Sequence, residues 1–439
     1  MASSLNLSWE ADPARRERLI NEAVDRTMPA ARAGALAELR SLALVPANKK
    51  MMWSDSSVKS ALLAGAKESE TVSVRESSLA TLYLLSLTAM EDDIVWALEV
   101  KGALLAGARA HEQIDLRERA LSTLQSFTRA KNNCLQMWGE EQVRETLLAA
   151  AGPSEHPRCR QAALGALYGL AVVDANKVPM WEYGALKDVL LSSAGQGEPP
   201  NVRASALRAI QNLASTPSNM HSIWKDAKAR ETLLAAAEVD EQQSVREVAL
   251  RSLCELANAT DNLEPMWTDE GVKRVLVANA DVSQSPDVRE PALLALYHLS
   301  CAFVNQGLMW TEAALKSALI SSAAEREQLN VRELALAVLW NLTGILADAD
   351  AGRRSVVARN VGHGRARRAS HNHAHLSGHR QRASHQQYTS TVYDRGLSAR
   401  IAVRVKALQS GEQVRRARTP RAGASARVLT LINFPSGEP

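Results

Sequence analysis

Tryptophan recurs along this chain at an almost constant interval, although aromatic residues make up only 4% of its 439 residues. Successive members of the series are 42 to 44 residues apart, and an arginine series runs in step with them over eight copies. The two series are Trp9, Trp53, Trp96, Trp138, Trp181, Trp224, Trp267 and Trp310, and Arg32, Arg75, Arg117, Arg160, Arg203, Arg246, Arg289 and Arg332. A fixed period in this range indicates stacked, similar supersecondary units.

Residues 176–218 show how one unit is built. The unit opens with the pattern Asn-x-x-x-Met-Trp, which ends at Trp181, and an apolar leucine pair follows nine residues later. Apolar residues then stand three, four, seven and ten residues after Arg203, which is the stripe of an amphipathic helix. The fixed register of the tryptophans favours a place in the core between units over an exposed aromatic recognition ladder.

The segments before the arginine series indicate where the long helices begin. A residue that favours the N-cap position stands two residues before six of the arginines: Ser73, Asp115, Asn201, Ser244, Asp287 and Asn330. Glutamate follows five of these residues at the spacing of a capping box. Arg158 interrupts the series, so its helix is predicted to begin less firmly. The arginines themselves are predicted to have a structural role, pairing with acidic loops or with the neighbouring repeat.

This pattern resembles the armadillo family and, more loosely, the related HEAT family. An armadillo repeat of about this length has a short first helix, a glycine-marked turn, a second helix and a long third helix. The Asn-x-x-x-Met-Trp segment is similar to the first helix, Gly184 and Gly271 stand where the turn glycine would, and the segment after Val-Arg is similar to the third helix. The resemblance covers residues 1–347 and implies an all-α, right-handed α-solenoid of eight repeats that serves as a protein-interaction scaffold or adaptor.

Importin-alpha proteins offer a specific comparison, because they grip nuclear localisation signals with a ladder of tryptophan and asparagine on the third helix. The ladder asparagine would stand nine residues after each series arginine, and only Asn212 and Asn341 match. The ladder tryptophan would stand four residues earlier, and none of the eight positions holds tryptophan. The groove is therefore predicted not to be importin-like.

The outward face of the third helices is the predicted partner-binding surface. Positions two, five, nine and twelve residues after the series arginine are expected to point away from the core. The position eight residues after it carries aromatic and amide side chains, for which packing between helices is the alternative explanation. The candidate partner-binding residues are Tyr83, Arg119, Gln125, Tyr168, Arg208, Gln211, Asn212, Arg251, Tyr297, Trp340 and Asn341. Their small, neutral to mildly basic surroundings predict an extended neutral or acidic protein segment as the partner.

The charge of the chain divides it into two parts. Residues 1–350 carry 35 basic and 45 acidic side chains, whereas residues 351–439 carry 17 basic and 3 acidic ones. Residues 348–439 are predicted to be a basic, disordered tail. Three interpretations stay open: an arm that binds nucleic acid or acidic surfaces, the former being the alternative function; a metal tract at His371, His373 and His375; or translated non-coding sequence. The apolar end of repeat eight, around Trp340, predicts self-association.

Several function classes lack their sequence signatures. The chain contains no Walker loop, dinucleotide-binding glycine motif, HExxH or nucleophile elbow. Its four cysteines stand in different repeats without metal or redox spacing, and no apolar stretch is long enough to span a bilayer. The chain is therefore predicted not to be an enzyme, to hold no cofactor or metal ion, not to enter a membrane, and to be cytoplasmic, with the nucleus as the alternative.

Overall fold

The computed structural model describes residues 8–87 and 98–343, and within them every regular element is a helix. In chain order the helices are α1 (Pro13–Val24), α2 (Pro29–Ala43), α3 (Pro46–Ser54), α4 (Ser56–Gly65), α5 (Val72–Ser86), α6 (Leu98–Gly107), α7 (Ile114–Phe127), α8 (Lys131–Gly139), α9 (Glu141–Ala151), α10 (Pro157–Leu170), α11 (Asp174–Glu182), α12 (Gly184–Ser193), α13 (Pro200–Ala214), α14 (Pro217–Lys225), α15 (Ala227–Ala236), α16 (Gln243–Ala257), α17 (Leu263–Thr268), α18 (Glu270–Asn279), α19 (Pro286–Ser300), α20 (Phe303–Thr311), α21 (Ala313–Ser322) and α22 (329–343). A 3-10 turn, Thr260–Asn262, precedes α17.

The helices repeat in the order expected of an armadillo-like unit. In the repeat around Trp181, α11 is the short first helix, α12 the second and α13 the long third helix. Eight second helices and eight third helices recur along the described residues, and each third helix that carries a series arginine begins three residues before it. The prediction of an all-α repeat fold is confirmed. The predictions for the tail concern residues beyond 343 and lie outside the described part of the chain, and self-association around Trp340 stays a prediction.

Contacts divide the described residues into two compact units. The first lies within Met1–Asn279 and Asp287–Asn305, and the second within Ala280–Pro286 and the residues from Gln306 onward. In the first unit the third helices α2, α5, α7, α10, α13 and α16 pack side by side in chain order. In the second unit α21 and α22 bury their own leucines, among them Leu319 and Leu339.

The tryptophans lie in the core, as predicted. Six of them are at most 7% exposed: Trp9, Trp53, Trp138, Trp181, Trp224 and Trp267. Trp310 is half-buried, and Trp96 lies outside the described residues. In six of the described repeats the residue six positions after the tryptophan places a cation over its ring, as Lys187 does at 5.6 Å from the Trp181 centroid and Arg230 at 5.4 Å from that of Trp224. Arg16, seven positions after Trp9, takes this place in the first repeat. A cation at this distance is attracted to the ring, and its aliphatic stem can pack against it.

The asparagine of the Asn-x-x-x-Met-Trp pattern links consecutive repeats. The buried Asn219 side chain donates from Nδ2 to the Leu213 carbonyl at 3.0 Å and to the Lys177 carbonyl at 2.9 Å. The first carbonyl belongs to the preceding third helix, and the second to the first helix one repeat earlier. Asn176, Asn262 and Asn305 make the same pair of bonds. The pattern therefore needs asparagine at this place, because a buried carbonyl requires a donor.

Five of the series arginines form ion pairs between repeats, which confirms their predicted structural role. Arg203 is buried; its Nη1 lies 2.6 Å from Glu241 Oε2, and its Nε donates to the Ala194 carbonyl at 3.2 Å. Each glutamate stands in the loop before the next third helix. The same pairing occurs in Arg32–Glu70, Arg75–Glu112, Arg117–Glu155 and Arg160–Glu198.

The predicted capping boxes on the third helices are wrong. These helices begin one residue before the predicted caps, so Ser73, Asp115, Asn201 and Ser244 lie inside their first turns. The polar side chains there serve contacts between repeats: Asp115 accepts from Arg158 at 2.9 Å, and Asn201 donates to Gln161 at 2.7 Å.

Side-chain caps form at α10 and at second helices, and not at the last two predicted cap residues. The helix predicted to begin less firmly, α10, has a side-chain cap, since His156 Nδ1 accepts from the Arg158 backbone N–H at 3.3 Å. Asp287 and Asn330 also lie within their helices rather than before them. Aspartate caps occur at second helices, as at Asp55 and Asp226. The signal is the aspartate two residues after a tryptophan, where the backbone is still extended.

Candidate partner-binding face

The third helices α7, α10, α13 and α16 form a groove that contains two neighbouring cavities. The first has a volume of about 300 Å³ and is lined by Glu118, Ser122, Gln125, Arg158, Gln161, Ala162, Gly165, Tyr168, Ser205 and Arg208. The second has a volume of about 190 Å³ and is lined by Tyr168, Arg208, Gln211, Asn212, Ser244, Glu247, Val248 and Arg251. Tyr168 and Arg208 line both cavities, so these two side chains mark the middle of the groove.

Two glycines allow α10 to approach α7 closely. A Cβ atom on Gly169 would lie 1.8 Å from Thr128 Oγ1 and 2.6 Å from its Cβ, so no larger residue fits there without movement of a helix. A Cβ atom on Gly165 would meet the end of the Gln125 side chain at 2.5 Å. Gly165 lines the first cavity, and its missing side chain leaves the floor of the groove flat.

The cations of the groove differ in how they are neutralised. Arg158 pairs with Asp115 at 2.9 Å and also contacts Glu118; the hydrogen bond to Asp115 and the charge of Glu118 raise the pKa of its guanidinium. Arg251 pairs with Glu247 at 2.8 Å across one helical turn. Arg208 is exposed and has no ion pair with any residue that the structure describes. The groove therefore offers one uncompensated positive charge at its middle.

Tyr168 gives the groove an accessible aromatic surface. Its side chain is 37% exposed, in contrast to the buried tryptophans of the core. Asn212 Nδ2 lies 3.4 Å from the Tyr168 carbonyl oxygen, which holds this amide beside the ring's helix. Gln125 and Gln211 occupy the equivalent position on the two neighbouring third helices, and both line the cavities. Aromatic and amide side chains thus alternate along the groove.

The structure brings six of the eleven predicted residues together. Those lining the groove are Gln125, Tyr168, Arg208, Gln211, Asn212 and Arg251. Outside it, Arg119 lies over the Tyr83 ring at 5.9 Å. Tyr297 is half-buried, makes an edge contact with His298 at 5.7 Å, and burial raises the pKa of its hydroxyl. Trp340 and Asn341 are half-buried residues of the second unit.

The face that lines the groove is rotated relative to the sequence prediction. The lining residues stand two residues before the series arginine and one, two, five and eight residues after it, and Asn212 at position nine lines the second cavity. Positions nine residues after the arginine are buried in two of the helices: Ser126 shares a hydrogen bond with Ser86 at 2.5 Å, and Gly169 lies against Thr128. Arg158, Gln161, Ser244 and Glu247 were therefore missed, although their spacing of three and four residues is helical.

The described residues contain one group that could hold a metal ion: Glu68, His111 and Glu112, in loops outside the groove. Burial raises the pKa of the Cys159 and Cys254 thiols, which lowers the fraction of the reactive thiolate at these two residues. Among the helices of residues 8–87 and 98–343, none combines the length and the apolar character needed to cross a bilayer.

Comparison with known proteins gives matches at the level of solved structures. No protein-family model and no curated protein matches the chain. The designed armadillo repeat protein YIII(Dq)4CqI is 19% identical, with a TM-score of 0.47, and the match covers 54% of this chain and 98% of that one. An engineered protein from the Northeast Structural Genomics Consortium is 17% identical, with a TM-score of 0.49, and the match covers 89% of this chain and 99% of that one.

Proposed function

We propose that this protein is an interaction scaffold that binds an extended segment of a partner protein across α7, α10, α13 and α16. The observation that carries the proposal is the pair Tyr168 and Arg208, which two adjoining cavities share. An uncompensated guanidinium in a groove is a binding position for a carboxylate, because charge-assisted hydrogen bonds are the strongest of their kind. The partner segment is therefore acidic, with a carboxylate placed on Arg208.

The chemistry of the lining supports an extended peptide. The cavities are lined mostly by amide, hydroxyl and charged side chains, whereas small-molecule sites are usually enclosed and largely apolar. An extended backbone presents a donor and an acceptor at every residue, and Gln125, Gln211 and Asn212 can bond to both. Four neighbouring helices at ~9 Å spacing correspond to about eight extended residues.

The contribution of Arg208 to peptide affinity is estimated from the loss of one charged contact. Peptides selected from a random linear library with the full chain as bait are expected to be rich in aspartate and glutamate. Arg208→Ala should weaken a selected peptide by about tenfold or more, since a hydrogen bond to a charged group contributes ~1.5–3 kcal/mol. Fluorescence anisotropy with a labelled peptide measures the change.

Lys228→Ala is the matched control, because Lys228 is an exposed cation on a second helix and its loss changes the net charge equally. It should bind the peptide as the parent chain does. Equal weakening by both substitutions would reduce the effect to overall charge. Full affinity of Arg208→Ala would refute the proposed anchor.

A further inference from the structure

We infer that the chain has a zinc site formed by Glu68, His111 and Glu112, separate from the groove and linking two consecutive repeats. Glu68 lies in the loop between α4 and α5, and the other two lie in the loop between α6 and α7. One oxygen or nitrogen atom of each side chain lies within 4.8 Å of the other two. These residues share no member with the cavities of the groove.

The distances from His111 to the two carboxylates match those between ligands of a tetrahedral zinc ion, and the two carboxylate oxygens lie within 4.8 Å of each other. His111 Nε2 lies 3.4 Å from Glu68 Oε1 and 3.5 Å from Glu112 Oε1. Ligands at about 2.1 Å from a tetrahedral zinc ion are ~3.4 Å apart, so little movement is needed to coordinate the metal. Three protein ligands leave the fourth position for water.

Two arginines hold the carboxylates in this orientation. Arg109 Nη1 lies 2.6 Å from Glu68 Oε2, and Arg75 Nη1 lies 2.7 Å from Glu112 Oε2. Each glutamate therefore has one oxygen in an ion pair and turns the other toward His111. This resembles the outer contacts that orient metal ligands in protein sites, where a ligating carboxylate is itself hydrogen-bonded.

The charges and the donor types together select the metal. The two arginines neutralise the two carboxylates, so attraction of a cation by net charge alone is weak. Mg²⁺ and Ca²⁺ depend on several oxygen ligands, whereas an imidazole nitrogen favours Zn²⁺. The site should therefore bind zinc with little competition from magnesium or calcium.

The site adds one histidine to a periodic framework. Glu112 belongs to the repeated arginine–glutamate pairs, and every repeat from the second to the sixth has glutamate at that position. The residue before this glutamate is histidine in one repeat alone; elsewhere the position holds Ser69, Ser154, Gly197, Asp240, Ser283 or Arg326. His111 is 63% exposed, so it contributes little to packing at this position.

The test is zinc titration of the full chain by calorimetry, with all six tail histidines replaced by asparagine so that they cannot contribute. This parent chain should bind Zn²⁺ at the inferred site, and excess Mg²⁺ should not displace it. His111→Asn and Glu68→Gln should each weaken zinc binding at least tenfold. His156→Asn is the control and should bind zinc as the parent does, since asparagine also serves as an N-cap.

X-ray absorption of the zinc-loaded parent gives a readout that does not depend on any site variant. The inferred site predicts a shell of oxygen and nitrogen ligands that includes one imidazole and no sulfur. Zinc bound to sulfur, unchanged affinity in His111→Asn, or the absence of zinc binding by the parent would each overturn the inference.

Discussion

At the scale of single residues, polar side chains decide how the repeats join. The buried asparagines donate to carbonyl groups of two different helices, and buried arginines such as Arg203 pair with a glutamate of the next loop. A buried polar group without a partner costs ~1–3 kcal/mol, so these positions tolerate few other residues. Arg246 shows that a buried arginine finds a partner even without the glutamate. Gln284 stands at the glutamate position there, and Arg246 Nη1 donates to the Val239 carbonyl at 2.7 Å.

Asn219→Ala tests this role. The substitution removes two hydrogen bonds at a position that is 2% exposed, and we expect it to destabilise the fold by about 2 kcal/mol. The lowered urea midpoint measures the loss. Asn212→Ala is the control, since Asn212 lies in the groove and makes only a 3.4 Å contact with a carbonyl. An Asn219→Ala chain as stable as the control would contradict the role of the asparagine.

At the scale of the helices, contact between α7 and α10 depends on residues without side chains. Gly169 lies against the Thr128 side chain and its Cβ, which cannot move without the helix, whereas Gly165 lies against the flexible end of Gln125. Gly165 is in the interior of α10, where alanine is favoured by up to about 1 kcal/mol, whereas Gly169 stands next to the last residue of the helix, where this preference is smaller. In a glycine-to-alanine substitution the helix preference therefore stabilises the fold and the steric clash destabilises it. Whether the neighbouring side chain can move decides which effect is larger.

Gly169→Ala and Gly165→Ala should consequently differ in their effect on the thermal midpoint. We expect Gly169→Ala to lower the thermal midpoint, because α10 must move away from Thr128. Gly165→Ala should leave the midpoint unchanged or raise it, since the end of Gln125 can turn aside, yet it should weaken the binding of an acidic peptide. Paired melting curves and anisotropy measurements separate these effects. A Gly169→Ala midpoint as high as that of the parent chain would show that the close approach of the helices is not required.

The helices also show where sequence reasoning succeeds and where it does not. The tryptophan and arginine series predict the helical repeat because packing between repeats demands the same residue at each turn of the array. The helix starts were misplaced because Asp115 and Asn201 resemble caps but bond to the adjacent repeat. The predicted binding face was rotated from the observed one because Ser126 and Gly169 are small residues that look exposed in the sequence. Their burial depends on how closely the helices approach. The inferred zinc ligands come from two loops of consecutive repeats, and the periodic pattern does not indicate that these loops lie side by side.

At the scale of the whole molecule, the regular framework and the irregular surface have separate tasks. The buried asparagines, arginines and tryptophans recur from repeat to repeat and hold the array together. Tyr168, Arg208 and His111 vary from repeat to repeat and lie on its surface. Since a repeat fold alone does not determine function, the proposed partner and zinc sites are both placed at residues that vary between repeats.

Photo-crosslinking tests the central claim, that the third-helix groove receives the partner segment. Tyr168→p-benzoylphenylalanine places the crosslinker in the groove, and Tyr183→p-benzoylphenylalanine places it between a first and a second helix; the two tyrosines are 37% and 39% exposed. With a selected acidic peptide and the full chain, we expect crosslinks from position 168 and few from position 183, read by mass spectrometry. Efficient crosslinking from 183 with none from 168 would contradict the proposed binding face.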